Sequence, residues 1–231
     1  MSALQFADTI RTSGLTPPDN IEPEKLYRFP GTNKRSGNTA GWCKLFANGV
    51  GGVYGDFSQD FSASWQAVRS TPISAAQRRA FNRQIAESKA TADAERKARQ
   101  SNAAMKASAI WCNSQPANNH HPYLLRKGIK AHGARLYNGV LVIPMRDGTE
   151  LHSLQFIGKD GSKRFLTDGR IKGCYFSIGS TKDQPAICVA EGFATGATIH
   201  EATCYPVAVA FNAGNLQAVA IAMRAKETTW T

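Results

Sequence analysis

Apolar residues along the chain follow helical spacing in some segments and strand spacing in others. In the N-terminal stretch LQFADTIRTSGL they recur three or four positions apart, which predicts a helix. The stretch AGWCKLFANGVGGVYGDFS has two short aromatic and β-branched runs around Asn48-Gly49, which predicts a β-hairpin. We expect residues 1–72 to form a small mixed α/β unit whose aromatic side chains fill its core, with nucleobase stacking as the alternative use of those rings.

The next segment, residues 73–116, is expected to be a helical connector. No proline or glycine occurs between Ser74 and Ser114, and Ser74 is a suitable N-cap residue. The segment is rich in alanine and basic residues and poor in large apolar ones, which is typical of a solvated helix.

Short apolar runs separated by Asp-Gly pairs mark residues 117–182. The pairs are Asp147-Gly148, Asp160-Gly161 and Asp168-Gly169, and they predict an antiparallel meander that includes the run KGCYFSIG. We interpret this segment as a β-rich lobe. Basic residues lie on the meander and on the His-Pro-led stretch before it, and they are the expected phosphate ligands: Arg126, Lys127, Lys163, Arg164, Arg170 and Lys172.

The last segment, residues 183–231, reads as strand, helix, strand and helix, an order that predicts a parallel sheet with a helical crossover. Glu191 follows the apolar run AICVA and precedes Gly192. In sheets of this kind, ligands bind at the carboxyl ends of the strands. Glu191 is therefore either a metal ligand, an acid or base, or a helix N-terminal charge.

The charge balance favours a polyanionic partner. Lysine and arginine total 28 against 17 acidic residues, a formal charge of +11, so we expect nucleic acid first and an anionic membrane surface second. There is no apolar run of membrane-spanning length and no signal-peptide pattern at the N-terminus, and we expect a cytoplasmic protein. The five cysteines contain no Cys-x-x-Cys pair, so we expect no zinc site and no disulfide framework.

Several separated motifs together resemble one family. The stretch VAEGFATGATIHEATCYPVAVAFNAGNL is similar to the start of a toprim domain. HPYLLRKGI, LVIPMRDG, LHSLQFIGKDGSKRFL and KGCYFSIG resemble segments that precede this domain in primases of phages, plasmids and other mobile elements. The resemblance implies an α+β protein: a small N-terminal unit, a long charged helix, a β-rich primase-like lobe and part of a toprim module with a parallel sheet.

The same resemblance implies magnesium-dependent synthesis of RNA primers on single-stranded DNA from ribonucleotides, possible cooperation with a replicative helicase, and a catalytic, metal-binding role for Glu191 with Mg²⁺ or Mn²⁺. The family's Asp-x-Asp pair on a third strand is missing from this sequence, which ends KETTWT after the helix GNLQAVAIAMRA. By this reading the 231 residues alone are inactive as an enzyme. The alternative is a noncatalytic nucleic-acid-binding protein derived from such a primase, acting in replication control or interference.

Overall fold

The computed structural model describes residues 2–67, 74–182 and 184–226, and the chain divides into two units after Lys97. The first unit is an antiparallel sheet with helices. Its elements are α1 (Ser2–Thr12), β1 (Leu26–Phe29), β2 (Gly41–Leu45), β3 (Gly51–Asp56), β4 (Phe61–Gln66) and the first part of α2 (Ala75–Cys112).

The four strands of this unit form a sheet in the order β1-β2-β3-β4, with all neighbours antiparallel. Side chains alternate between its faces: Cys43 and Leu45 pack with α1, while Trp42 and Phe46 pack with Phe81 and Ala92 of α2. The predicted helix and the hairpin with Gly49 in its turn at positive φ are both confirmed.

The expected helical segment is confirmed as one continuous helix, α2, where the sequence had left open one long helix or a broken pair, and Ser74 caps it. The Gln77 amide donates to Ser74 Oγ at 3.2 Å, and the Ser74 amide donates to Gln77 Oε1 at 2.8 Å, which is a capping box. The helix is not only solvated, because Ala92 is fully buried in the first unit and Ala107 in the second.

The second unit contains the end of α2 and two sheets. Its other elements are β5 (Gln115–Pro116), α3 (Pro122–Lys127), β6 (Arg135–Tyr137), β7 (Val140–Arg146), β8 (Leu151–Ile157), β9 (Lys163–Phe165), β10 (Phe176–Ile178), β11 (Cys188–Ala190), α4 (Phe193–Thr203), β12 (Val207–Val209), a 3-10 turn (Ala213–Asn215) and α5 (Leu216–Lys226).

An antiparallel five-stranded sheet, ordered β5-β6-β7-β8-β9, forms one layer of this unit. One face packs against α3, α4 and the smaller sheet, and the other face packs against the end of α2 through Ala107, Ile110 and Trp111. The predicted meander is confirmed for β7, β8 and β9, with Gly161 at positive φ in the β8–β9 turn.

The smaller sheet has the order β10-β12-β11, in which β11 and β12 are parallel and α4 connects them. The prediction that KGCYFSIG ends the meander was wrong, because β10 pairs antiparallel with β12. β10 supplies buried Phe176 and Ile178 to the core of α4 and β12, so apolar packing determines its partner. The chain is thus a mixed α and β structure, and none of its described helices is long and apolar enough to cross a membrane.

Candidate nucleic-acid interface

Glu191 lies where the partly buried edge strand β11 gives way to α4, and its side chain is exposed. Gly192 is the N-cap residue of α4, has extended backbone (φ −128°, ψ 153°) and offers no side-chain acceptor to the helix. The amides of the first helical turn therefore have no capping side chain from Gly192, and such amides attract anions. The residue that follows the carboxyl end of β11, Glu191, is thus accessible to solvent beside the first turn of α4.

Lys163 comes from a distant part of the chain to the same place. If Gly192 carried a Cβ atom, that atom would lie 3.9 Å from Lys163 Nζ. Phe165, on the same face of β9 as Lys163, packs edge-on against Phe211, which follows β12 (ring centroids 6.4 Å apart, 82° between planes). This contact holds β9 against the carboxyl ends of the parallel strands. The strand-end site, as we call it, consists of Lys163, Glu191, Gly192 and the start of α4.

Arg164 is the chain neighbour of Lys163 but lies on the opposite face of the sheet. Its guanidinium carbon is 4.7 Å from the ring centroid of Phe156, and Phe156 belongs to the core between the sheet and α2. Because side chains alternate along a strand, the two cations cannot act on one phosphate group from the same surface.

Arg126 and Lys127 form the exposed last turn of α3. Arg126 Nη1 donates to the carbonyl oxygen of Lys159 at 3.0 Å, which joins α3 to the turn between β8 and β9. Lys172 is exposed in the segment before β10. These three predicted phosphate ligands are accessible to solvent, and Arg126 also contacts the turn of the strand pair that carries Lys163.

Arg170 has a different surrounding from the one expected of a phosphate ligand. Its half-buried guanidinium donates to the carboxylate of Asp147, whose Oδ2 is also 2.9 Å from His152 Nε2. Burial alone would raise the pKa of Asp147, but hydrogen bonds from His152 and Arg170 outweigh it, and the pKa is lowered. The sequence pattern predicted Asp147 only as a turn residue. The placement of Asp147 and His152 on either side of one tight turn was the sequence feature that could have indicated their contact.

Within the described part of the chain, metal-ligating side chains do not form a complete magnesium site around Glu191. Among the residues that the structure describes, one group of three possible ligands occurs, Asp147, Glu150 and His152, with ligand atoms within 4.8 Å of one another. Arg170 already neutralises Asp147, which disfavours a cation there. Magnesium binds through several oxygens, so Glu191 alone does not fit the ion without further ligands.

The relatives that match the chain include two proteins of the same name. The chain is 38% identical over 118 residues to a DNA primase TraC of Escherichia coli, an alignment that covers 48% of this chain and 11% of the relative. It is 26% identical over 244 aligned positions to another DNA primase TraC of Escherichia coli, covering 96% of this chain and 16% of the relative.

No protein-family model and no solved structure matches the chain. The chain thus spans about a ninth and about a sixth of the lengths of these two relatives. Nearly all of it aligns with the second one, at low identity. The chain is therefore a distant homologue of part of the proteins named DNA primase TraC.

Proposed function

We propose that this chain is part of a primase that makes RNA primers on single-stranded DNA during plasmid or phage replication. The observation that carries the proposal is the strand-end site, where Lys163 lies beside the uncapped start of α4 and Glu191 is exposed. The homology to proteins named DNA primase and the formal charge of +11 support it.

The chain's own residues supply phosphate binding in this proposal. Lys163 neutralises a phosphate oxygen, and the first amides of α4 orient the same group. Arg126, Lys127 and Lys172 bind strand phosphates elsewhere on the second unit. Arg170 holds Asp147 and acts on the strand only through the fold of the β7–β8 turn.

Glu191 is proposed as one carboxylate ligand of a Mg²⁺ or Mn²⁺ ion. The remaining ligands would have to be phosphate oxygens of the substrates and side chains outside these residues, because Glu191 belongs to no group of three possible metal ligands among the described residues. When bound, such an ion stabilises the charge that develops on a transferring phosphoryl group. Ribonucleotides as substrates and a replicative helicase as partner complete the proposal.

A noncatalytic strand-binding protein is the second candidate. Among the described residues Glu191 belongs to no group of three possible metal ligands, which favours this candidate, because binding by Lys163 and the α4 amides needs no metal. In that case the protein occupies single-stranded DNA and alters replication without making primers.

Salt-dependent binding of a fluorescent (dT)20 strand tests the strand-end site. We expect Lys163→Ala to bind more weakly and to lower the slope of log affinity against log salt by about 0.7, the value for one lost phosphate contact on a single strand. The control is Arg224→Ala, which removes the same charge from an exposed position on α5. Equal slopes for Lys163→Ala and the wild-type protein would contradict the proposal.

A further inference from the structure

A second surface of the second unit has the features of a binding site for a nucleobase. It is an open cleft of roughly 270 Å³ between the end of α2, the β6–β7 turn and β9. Its lining includes Ile110, Tyr137, Asn138, Phe156, Arg164 and Leu166. We propose that this base cleft holds one base of a single-stranded nucleic acid, with the adjoining phosphate on Arg164.

The walls of the base cleft provide stacking surface. The guanidinium of Arg164 lies over the Phe156 ring at 4.7 Å, which presents a flat cation on an aromatic support. Tyr137 is half-buried beside it, and Ile110 and Leu166 supply apolar contact. Bases of single strands stack on arginine planes and aromatic rings, a contact that tolerates any base.

The rim of the base cleft provides polar and positive groups. Asn138 and Gly139 form the β6–β7 turn with positive φ values of 47° and 76°, which leaves the Asn138 amide exposed. A Cβ built on Gly139 would lie 3.9 Å from Lys159 Cε, so a second cation stands beside the turn. The amide can pair with base edges, and the cations suit a phosphate-bearing ligand.

The place of β9 in the fold explains how one nucleic-acid strand could contact both the strand-end site and the base cleft. β9 is the last strand of the five-stranded sheet, with Lys163 on one face and Arg164 on the other. A flexible nucleic acid that crosses this edge passes both cations. The base cleft thus rests on the proposed function, but it makes a separate claim about a different face.

Photocrosslinking locates the base directly. The full chain is irradiated with a (dT)12 strand that contains 4-thiothymidine, and the crosslinked peptides are identified by mass spectrometry. We expect adducts on the segments that line the cleft, around Tyr137 and Arg164, in the wild-type protein and in Lys163→Ala. A crosslink confined to other segments would overturn the proposal.

Arginine-to-lysine replacement separates stacking from charge. Arg164→Lys keeps the positive charge but loses the planar group. Its affinity for (dT)12 should therefore be lower than that of the wild type by about fivefold or more, with an unchanged slope of log affinity against log salt. On an abasic strand of equal length, the two proteins should bind equally. Equal affinities on both strands would show that Arg164 makes only a phosphate contact and would overturn the base cleft.

A parallel experiment with a free mononucleotide shows whether the bound base belongs to a strand or to a free nucleotide. If 4-thiouridine monophosphate labels the cleft and the strand does not, the site serves free nucleotides and the strand proposal is wrong. The two proposals also fail separately. A cleft without adducts together with a lowered slope in Lys163→Ala contradicts only the base cleft, whereas no strand binding by the wild-type protein contradicts both.

Discussion

Lys163 and Arg164 show how much one position along a strand changes the chemistry available to a side chain. Lys163 lies near Gly192 at the end of a parallel strand, and Arg164 lies over Phe156 on the far face. A cluster of cations in sequence is therefore not one binding surface. The two-residue period of β9 decides which cation meets which part of a nucleic acid.

At the same scale, the Asp147 carboxylate should contribute to stability. Asp147→Asn leaves the half-buried guanidinium of Arg170 without its carboxylate partner, so we expect the free energy of unfolding at pH 7 to fall by roughly 1–2 kcal/mol. The control is Glu150→Gln. The side chain of Glu150 is 79% exposed, so this change should alter the free energy of unfolding by less than about 0.5 kcal/mol. Urea unfolding measures both, and equal effects would contradict a special role for Asp147.

The same carboxylate predicts a pH dependence. The pKa of Asp147 is lowered in the folded chain, so its stabilising effect is present above the unfolded pKa of about 3.9 and is lost as pH falls through the folded pKa. The difference in unfolding free energy between wild type and Asp147→Asn should therefore shrink between pH 5.5 and pH 3. A difference that grows as the pH falls would show that the pKa shift has the opposite sign.

Among the elements, the pair of α4 and β12 positions Glu191. Gly196 faces β12 directly: a Cβ at this residue would lie 2.7 Å from Val209 Cγ2 and 3.3 Å from Val207 Cγ1. The small residue lets α4 approach the parallel pair closely. This approach fixes the start of the helix beside the end of β11.

We therefore expect Gly196→Ala to destabilise the protein, although the same change in an ordinary helix interior stabilises it by about 1 kcal/mol. Overpacking against β12 should lower the free energy of unfolding by roughly 1–3 kcal/mol. Thr198→Ala, at an exposed position of the same helix, serves as the control and should leave stability nearly unchanged. A more stable Gly196→Ala protein in thermal unfolding would contradict the close packing.

Over the whole molecule, local sequence patterns predicted the helices and strands well, but predicted which strands pair with each other less well. Ser74 and an unbroken helical composition predicted α2, and Asn48-Gly49 predicted the first hairpin, because both signals are local. The partner of β10 could not be predicted, since it depends on burying Phe176 and Ile178 against residues far along the chain. The burial of Ala92 and Ala107 was also missed, because small residues give a weak apolar signal.

The candidate site shows the same division. Glu191 could be placed at a strand end from its apolar neighbours, and the phosphate-binding role of the exposed Arg126, Lys127 and Lys172 stays a prediction. The approach of Lys163 to Gly192 depends on the packing of Phe165 on Phe211, a contact that no local pattern contains. The ion pair that occupies Arg170 is likewise a tertiary contact.

The most direct measurement of the central claim is the effect of Mg²⁺ on strand binding by Glu191→Gln, at constant ionic strength. If Glu191 faces a bound phosphate beside Lys163, removing its negative charge should tighten (dT)20 binding several-fold in EDTA, because the charge repels the strand. Mg²⁺ should reduce that advantage by bridging the wild-type carboxylate and the phosphate. Equal affinities of the two proteins in both conditions would show that Glu191 does not face the strand.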